Sequence, residues 1–260
     1  MKPLRELESR GVTAVLLDID DTLTTDGKLT AAAYSSLERL KCAGLRVIPV
    51  TGRPAGWCDH IARMWPVDAV VGENGAFYFW HAGGKLQRRY HHDAATRARN
   101  LERLRAVAAE IVAAVEGCAV AADQAYRETD LAMDYCEDVP ALPLEAAERI
   151  AQLMRAAGLT AKVSSIHVNG WFGGYDKLAM TRALFAERFG TELAENGNES
   201  VVFAGDSPND APMFRYFARS VGVANVRRFG ASLEHPPAYV TALPAGAGFA
   251  ELATHLLQDR

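Results

Sequence analysis

Two acidic residues that directly follow an apolar run constrain this chain more than any other feature. The run Ala14–Leu17 is continuous in apolar residues, and Asp18-Ile19-Asp20-Asp21-Thr22 comes immediately after it. Such a run is typical of a buried parallel strand, and ligands of open α/β sheets bind beyond the carboxyl ends of the strands. Residues two apart lie on the same side of an extended backbone, so Asp18 and Asp20 can address one substrate atom. Taken alone, the pattern also fits an acidic turn.

Three further stretches carry polar groups in positions that match the first. Val47–Val50 leads into Thr51-Gly52-Arg53, and Val201–Ala204 leads into a segment with the sequence Gly-Asp-Ser-Pro-Asn-Asp over 205–210. Between them, Lys177 stands at the head of a helix-like stretch. Each stretch is a weak signal by itself, and a single lysine is usually a solvated charge. Their common order and their apolar runs together favour one site at one sheet edge.

With these four motifs the sequence resembles the haloacid dehalogenase-like hydrolase superfamily. The resemblance extends to Glu73-Asn74-Gly75-Ala76, which is similar to the ENGA segment of class IIB, the subfamily of Cof-type and sucrose-phosphate-phosphatase-like sugar phosphatases. Val221–Asn225 and Gly248–Glu251 are similar to the C-terminal stretches of that subfamily. Residues from roughly 90 to 165 match poorly.

Composition limits the classes of partner. The 260-residue chain has a net charge of −4, which gives no electrostatic reason to expect nucleic acid or an anionic membrane surface as a partner. Its four cysteines lack the spacing of a zinc site, and its N-terminus lacks an apolar signal region. We therefore expect a cytoplasmic protein that acts on a small phosphorylated molecule. The sequence leaves the oligomeric state open.

The spacing of the motifs predicts two domains. About 126 residues separate Thr51 from Lys177, far more than one βα crossover needs. The periodicity of this segment predicts the order α-β-β-α-β-β, which would form an antiparallel sheet with two helices on one face. The predicted fold is α/β, a Rossmann-like three-layer core with a parallel sheet (1–88 and 172–260). Residues 89–171 are predicted to be an inserted α+β cap domain of the C2 type, which would determine substrate specificity.

Several local predictions accompany this division. Thr30 should cap the first long helix, and residues 76–90 should form a hairpin that turns at Gly83-Gly84. Trp57, Ile61 and Met64 have helical spacing and are interpreted as core residues. Pro49 is awkward inside a central strand because it has no N–H to donate. His91 and His92 are not interpreted as a metal pair, because adjacent side chains on a strand point apart.

The resemblance assigns roles to the motif residues. It implies a phosphoric monoester hydrolase in which Asp18 forms an aspartyl phosphate and Asp20 acts as general acid and then general base. Crowded acids beside a phosphate need a hard cation, and Mg²⁺ suits carboxylate and phosphate oxygens. The implied metal residues are Asp18 and Asp206 through their side chains, Asp20 through its carbonyl, and Asp210 through water or from behind the direct ligands. The residues implied to contact the phosphate are Lys177, Thr51, the amide of Gly52, and Asn209. Thr22 is expected to hold the loop, and Arg53 to reach either the substrate or a surface carboxylate.

The cap should contribute the residues that bind the alcohol portion of the substrate. The polar candidates on its strands are Arg127, Asp130, Asp134, His167 and Asn169. The resulting hypothesis is a Mg²⁺-dependent phosphatase for a small ester, a sugar phosphate in particular. A phosphomutase that uses the same aspartyl phosphate is the alternative. A dehalogenase is disfavoured because Asp20 would have no leaving alcohol to protonate. A non-catalytic receiver-like module is disfavoured by the length of the chain and by the intact acid pair.

Overall fold

The protein, described here as a computed structural model, is defined for residues 1–164 and 166–258, without the side chains of residues 231 and 232. The strands are β1 (Lys2–Pro3), β2 (Ala14–Leu17), β3 (Arg46–Pro49), β4 (Val70–Gly72), β5 (Phe77–Ala82), β6 (Lys85–Tyr90), β7 (Ala119–Val120), β8 (Leu131–Asp134), β9 (Thr160–Val163), β10 (His167–Trp171), β11 (Val201–Gly205), β12 (Arg219–Gly222) and β13 (Tyr239–Val240). The helices are α1 (Ala31–Cys42), α2 (Ala55–Met64), α3 (Ala94–Ala114), α4 (Leu144–Ala156), α5 (Lys177–Phe189), α6 (Ala211–Tyr216) and α7 (Ala245–Leu256). None of the helices within these residues is both long and apolar enough to cross a bilayer.

A six-stranded parallel sheet is the central layer of the predicted core. Its order is β1-β13-β12-β11-β2-β3, and all five pairings are parallel. Alternate residues of the strands point to opposite faces, where Val15 and Leu17 pack with α1 and α7 and Leu16 packs with α5 and α6. The sheet therefore lies between two helical layers, and the predicted α/β fold with a parallel sheet is confirmed.

The difficulty with Pro49 is resolved by the direction in which its nitrogen points. The N–H of Val50 donates to the Leu17 carbonyl in β2, whereas the N–H of Thr51 donates on the other side, to Val71. Since successive N–H groups alternate between the two sides of a strand, the nitrogen of Pro49 points away from β2. No hydrogen bond to β2 is lost, and Pro49 remains part of β3.

A second, antiparallel sheet joins β4, β5 and β6 and packs on α2. The predicted hairpin is confirmed, with Gly83 and Gly84 at positive φ in the turn. The core interpretation of α2 holds for Ile61, which is buried, but it is wrong for Trp57 and Met64, which are 42% and 65% exposed. The indole ring of Trp57 instead lies against the Arg53 guanidinium, whose Cζ is 4.4 Å from the centroid of the ring.

The third sheet lies within the inserted segment, in the order β7-β8-β10-β9. The order α-β-β-α-β-β is confirmed, and an apolar cluster drawn from α3, α4 and this sheet forms a core of its own. Leu144, the first residue of α4, is exposed. Residue 165, in the predicted cap, and residues 259 and 260, in the predicted core, lie outside the described residues.

Two connections link the inserted segment to the rest of the chain. His91 and His92 follow β6 rather than lying in it, and their rings are 4.7 Å apart, so the strand argument made for them was wrong. The ring of His91 also lies 4.9 Å from that of Tyr175, in the return connection. Aromatic contacts thus bring the two connections together beside α5.

Candidate active site

The motif residues that are most distant in sequence meet at the carboxyl ends of β2 and β11. Lys177 begins α5, where the Asp176 side chain caps the helix, and its Nζ lies 3.1 Å from Asp18 Oδ2 and 2.9 Å from Asp210 Oδ1. All three charged side chains are buried. A buried ammonium between two carboxylates offsets charges that would otherwise be costly to remove from water.

The approach of α5 depends on the turn at residues 73–75. Gly75 has φ +105, and a Cβ at this position would lie only 2.0 Å from the Asp176 carbonyl oxygen. Any larger residue would force the turn and the start of α5 apart. Gly75 therefore allows the close packing that brings Lys177 to Asp18.

Burial dominates the electrostatics of the acids. Burial, with smaller contributions from Asp210 and Asp20, raises the pKa of Asp18 to about 7 despite the opposing effect of Lys177. Burial, Asp210 and Asp18 likewise raise the pKa of Asp206 well above its ordinary value. For Lys177, the attraction of Asp18 and Asp210 outweighs burial and raises its pKa. One ammonium is therefore too little positive charge for this cluster.

The arrangement of the acids fits a hard cation. Ligand oxygens of Asp18, Asp206 and Asp210 lie within 4.8 Å of one another, the one such cluster that the described residues form. Asp210 is already engaged: Oδ1 accepts from Lys177, and Oδ2 accepts from the backbone N–H groups of Asp206 and Ser207. The backbone contacts of Asp210 suit it to a place behind the direct ligands, and Asp18 and Asp206 are the other two members of the cluster.

Three side chains donate hydrogen bonds to the Asp206 carboxylate. The Thr22 hydroxyl donates to Oδ1 at 3.4 Å, which agrees with the structural role expected for Thr22. Asn225 and Arg228 each donate to Oδ2 at 3.2 Å, and Arg228 also pairs with Asp21. Sequence reasoning named Asn225 only as the end of a stretch similar to the subfamily, and it did not single out Arg228.

Asp20 belongs to a chain of ion pairs that crosses from the central sheet to the inserted segment. The Arg53 guanidinium donates three hydrogen bonds of 2.8–3.1 Å to the Asp20 carboxylate. The same Nη2 donates to Glu137 Oε1 at 3.0 Å, and Glu137 Oε2 lies 2.9 Å from Nε2 of His167. Arg53 is 5% exposed. Of the two expectations for Arg53, pairing with a surface carboxylate is met by Glu137, which is exposed, and contact with the substrate stays a prediction.

A cavity of about 20 Å³ separates the acids from the inserted segment. The side that adjoins the central sheet includes Asp18, Asp20, Gly52, Arg53, Ser207 and Asn209, and the opposite side includes Arg127, Ser164, Ile166, His167 and Asn169. Thr51 is not among the residues that line the cavity. Its hydroxyl accepts a hydrogen bond from the backbone N–H of Arg53. A cavity of this size holds about one water molecule. The structure is therefore a closed form.

The candidates in the inserted segment divide into two groups. Arg127, His167 and Asn169 line the cavity, and Asp130 lies behind them, paired with Arg127 and Asn169. Asp134 does not reach the cavity. Its carboxylate accepts from the N–H groups of residues 136, 137 and 138, and so it shapes the turn that carries Glu137.

Comparison with known proteins agrees with this geometry. Residues 15–131 match the family model described as haloacid dehalogenase-like hydrolase. This match spans slightly less than half of the chain, and it agrees with the resemblance that the motifs carry. A comparison with curated protein sequences gave no significant match.

Several solved structures share the fold of this chain, although their sequence identity to it is low. A Thermoplasma acidophilum protein, 0175, has a TM-score of 0.73 at 19% identity, covering 94% of this chain and 98% of its own. The sucrose-phosphatase of Synechocystis, solved with sucrose and phosphate, has a TM-score of 0.63 at 17% identity, covering 95% and 98%. A phosphatase-superfamily protein of Bacteroides thetaiotaomicron has a TM-score of 0.60 at 19% identity, covering 94% and 95%.

The protein contains one further buried acid that sequence reasoning noted only as part of a motif. Glu73 has φ +41, and its carboxylate accepts from the N–H of Ala55 at the start of α2. It also accepts from the N–H groups of Glu128, Thr129 and Asp130 and from the Thr129 hydroxyl. Burial and Asp130 raise the pKa of Glu73 to about 7. We refer to these contacts, from Glu73 to Ala55 and to residues 128–130, as the Glu73 clamp.

The signals for the missed residues differ. An acid between Gly72 and Asn74-Gly75, after a buried strand, indicates a special backbone, but nothing local indicates that Glu73 contacts residues 55 positions later. Glu137 lies in an irregular turn after β8, where strand alternation no longer tells which side chains face the site. Long-range contacts of this kind appear only when the elements are assembled.

Proposed function

We propose that this protein is a Mg²⁺-dependent phosphatase that cleaves a small phosphate monoester through an aspartyl phosphate on Asp18. The carboxylate would attack phosphorus, the ester P–O bond would break, and the leaving oxygen would take a proton from Asp20. Water, deprotonated by Asp20, would then release phosphate and free Asp18. Covalent catalysis divides one slow hydrolysis into two easier steps.

The observation that carries the proposal is the position of Lys177 between Asp18 and Asp210, with Asp206 in the same cluster. Phosphoryl transfer depends mainly on positioning and on neutralising the charge of the transferred group. Lys177 supplies one fixed positive charge at the nucleophile. Asn209 and Gly52 line the cavity and would bind phosphate oxygens. Thr51 would act through the N–H of Arg53, whose position it fixes.

Mg²⁺ is the cation that the acids would hold, through the Asp18 and Asp206 carboxylates and the Asp20 carbonyl, with Asp210 behind them. When bound, it would neutralise phosphate charge that Lys177 alone leaves uncompensated. The raised pKa values of Asp18 and Asp206 support this assignment, because burial and the neighbouring acids disfavour the charged carboxylates and a bound cation would offset that penalty. A divalent ion would return Asp18 to the carboxylate form that attacks.

Residues 89–171 would act as a cap that opens to admit substrate. The cavity is far too small for a phosphate ester, so entry requires this segment to move away from the central sheet. Its separate apolar core supports movement as a unit. The ion pairs from Asp20 through Arg53 to Glu137 would break and re-form in each cycle, which would link cap closure to the orientation of the acid Asp20.

The fold likeness to the Synechocystis sucrose-phosphatase supports sugar phosphates as the substrate class. The test is a substrate panel with Mg²⁺, including p-nitrophenyl phosphate, in which free phosphate and isomerised sugar phosphate are both measured. Release of phosphate that needs Mg²⁺ is expected. Isomerisation without phosphate release would indicate a mutase, and inactivity on every ester would refute the proposal.

A further inference from the structure

We propose that Glu137 is a specificity-determining residue, which makes the leaving-group side of the site reject carboxylate-bearing esters and accept uncharged, hydroxyl-bearing ones. This inference rests on the proposed phosphatase function and names the class of ester within it. It concerns the side of the cavity opposite Asp18, where the alcohol portion of a substrate must lie.

The two arginines that line the cavity, one on each side, already have anionic partners. Arg53 contacts the carboxylates of Asp20 and Glu137 and lies 3.6 Å from that of Asp123. Arg127, fully buried, contacts Asp123 and Asp130 and donates to the Gly52 carbonyl. Two guanidinium groups thus face four carboxylates.

Recognition of a carboxylate usually needs an arginine that is free to form two parallel hydrogen bonds. Of the described residues that line the cavity, Arg53 and Arg127 are the two that carry a permanent positive charge, and both are engaged. Residue 165 lies outside the description, but it is a serine and adds no charge. A carboxylate on the leaving group would therefore meet an excess of like charge in a poorly solvated space.

Glu137 is the member of this network best placed to control the choice of substrate. It belongs to the inserted segment, so it would move with the part that admits the substrate, and it pairs with Arg53, which lines the cavity, although Glu137 itself does not. Its second oxygen is 2.9 Å from Nε2 of His167, another residue that lines the cavity. The contacts with His167 and Arg53 lower the pKa of Glu137 to about 2, and it stays charged throughout the working range.

Hydroxyl groups suit the polar atoms that remain. Ser164 and Asn169 line this side of the cavity and offer neutral donors and acceptors. A polyol or sugar leaving group could then bind without displacing either ion pair.

The experiment compares matched esters that differ in a carboxylate. With Mg²⁺, kcat/KM is measured for glycerol 3-phosphate against 3-phosphoglycerate and for 2-hydroxyethyl phosphate against phosphoglycolate. We expect the wild type to favour the uncharged member of each pair at least tenfold, mainly through KM. Glu137→Gln should reduce that preference about tenfold by improving the carboxylate esters, whereas Glu116→Gln, on the exposed surface of the same segment, should not.

The wild-type comparison keeps the test decisive if Glu137→Gln fails to fold. Equal or faster hydrolysis of the carboxylate esters by the wild type would overturn the inference and leave the phosphatase proposal intact. An unchanged preference in folded Glu137→Gln would overturn the role of Glu137. Inactivity on all four esters and on p-nitrophenyl phosphate would refute the proposed function, and this inference with it.

Discussion

Removing the Glu73 carboxylate should loosen the junction between α2 and residues 128–130. Five donors converge on this one side chain: the N–H groups of Ala55, Glu128, Thr129 and Asp130, and the Thr129 hydroxyl. In Glu73→Ala, all five would lose their acceptor in a buried place. In Glu73→Gln, one acceptor oxygen remains, but an NH₂ group replaces the other and opposes the donors that face it.

The expected fall in the free energy of unfolding follows from the number of buried donors that lose their acceptor. A buried donor without an acceptor costs about 1–3 kcal/mol, but local movement and water entry recover part of the sum. Removing a carboxylate whose pKa burial raises to about 7 also returns some stability. We therefore expect the free energy of unfolding to fall by about 3–5 kcal/mol in Glu73→Ala and by about 2 kcal/mol in Glu73→Gln.

Denaturant unfolding measures the total, and hydrogen exchange measures its location. The amides of residues 128–130 should exchange faster in both variants, whereas those of the six-stranded sheet should change no more than global stability requires. Glu116→Ala, at an exposed acid, serves as the control. A Glu73→Ala protein within about 1 kcal/mol of wild type, with unchanged exchange at residues 128–130, would refute the reasoning.

Three further predictions concern the acid cluster. Lys177→Met should lower kcat/KM by about 10²–10³-fold and stability by about 3–5 kcal/mol, because two buried carboxylates lose their cation; exposed Lys85→Met is the control, and a loss in kcat/KM below tenfold would contradict the prediction. Without divalent ions, the free energy of unfolding should fall as pH rises from the ordinary pKa of Asp18, 3.8, through its folded value of about 7, since the folded state favours the protonated acid. Asp18→Asn should flatten that fall, and an equally steep profile would exclude Asp18 as its source. Mg²⁺ at about 100 times its Kd should add about 2.7 kcal/mol, more above pH 7 than below it, and its effect should be lost in Asp206→Asn; equal stabilisation of that variant would place the ion elsewhere.

The sequence was sufficient to predict three strands of the central sheet, β2, β3 and β11, because each is a short apolar run that ends in a polar motif. The motif residues Asp18, Lys177 and Asp206 meet as expected, since the carboxyl ends of parallel strands share one edge. Local turn chemistry was equally informative: Thr30 caps α1, and Gly83-Gly84 turns the hairpin. These features depend on neighbours in sequence or on a rule of topology.

The contacts between the inserted segment and the rest could not be predicted in the same way. Periodicity gives the helices and strands of the segment, but not which turn meets Arg53, and so Glu137 and Asp123 were missed. The same limit explains Trp57, which has the spacing of a core residue although it is exposed and lies against the Arg53 guanidinium. The division of the chain at residues 89 and 171 remains a prediction.

The most direct test of the account is to trap the phosphorylated protein during turnover. Wild-type protein is quenched with acid while it hydrolyses p-nitrophenyl phosphate with Mg²⁺, and its peptides are analysed by mass spectrometry. The account predicts one phosphoryl group on the peptide that contains Asp18, at Asp18 itself, and neither phosphoryl group nor turnover in folded Asp18→Asn. A phosphoryl group on another residue, or turnover by Asp18→Asn at a rate near that of wild type, would contradict it.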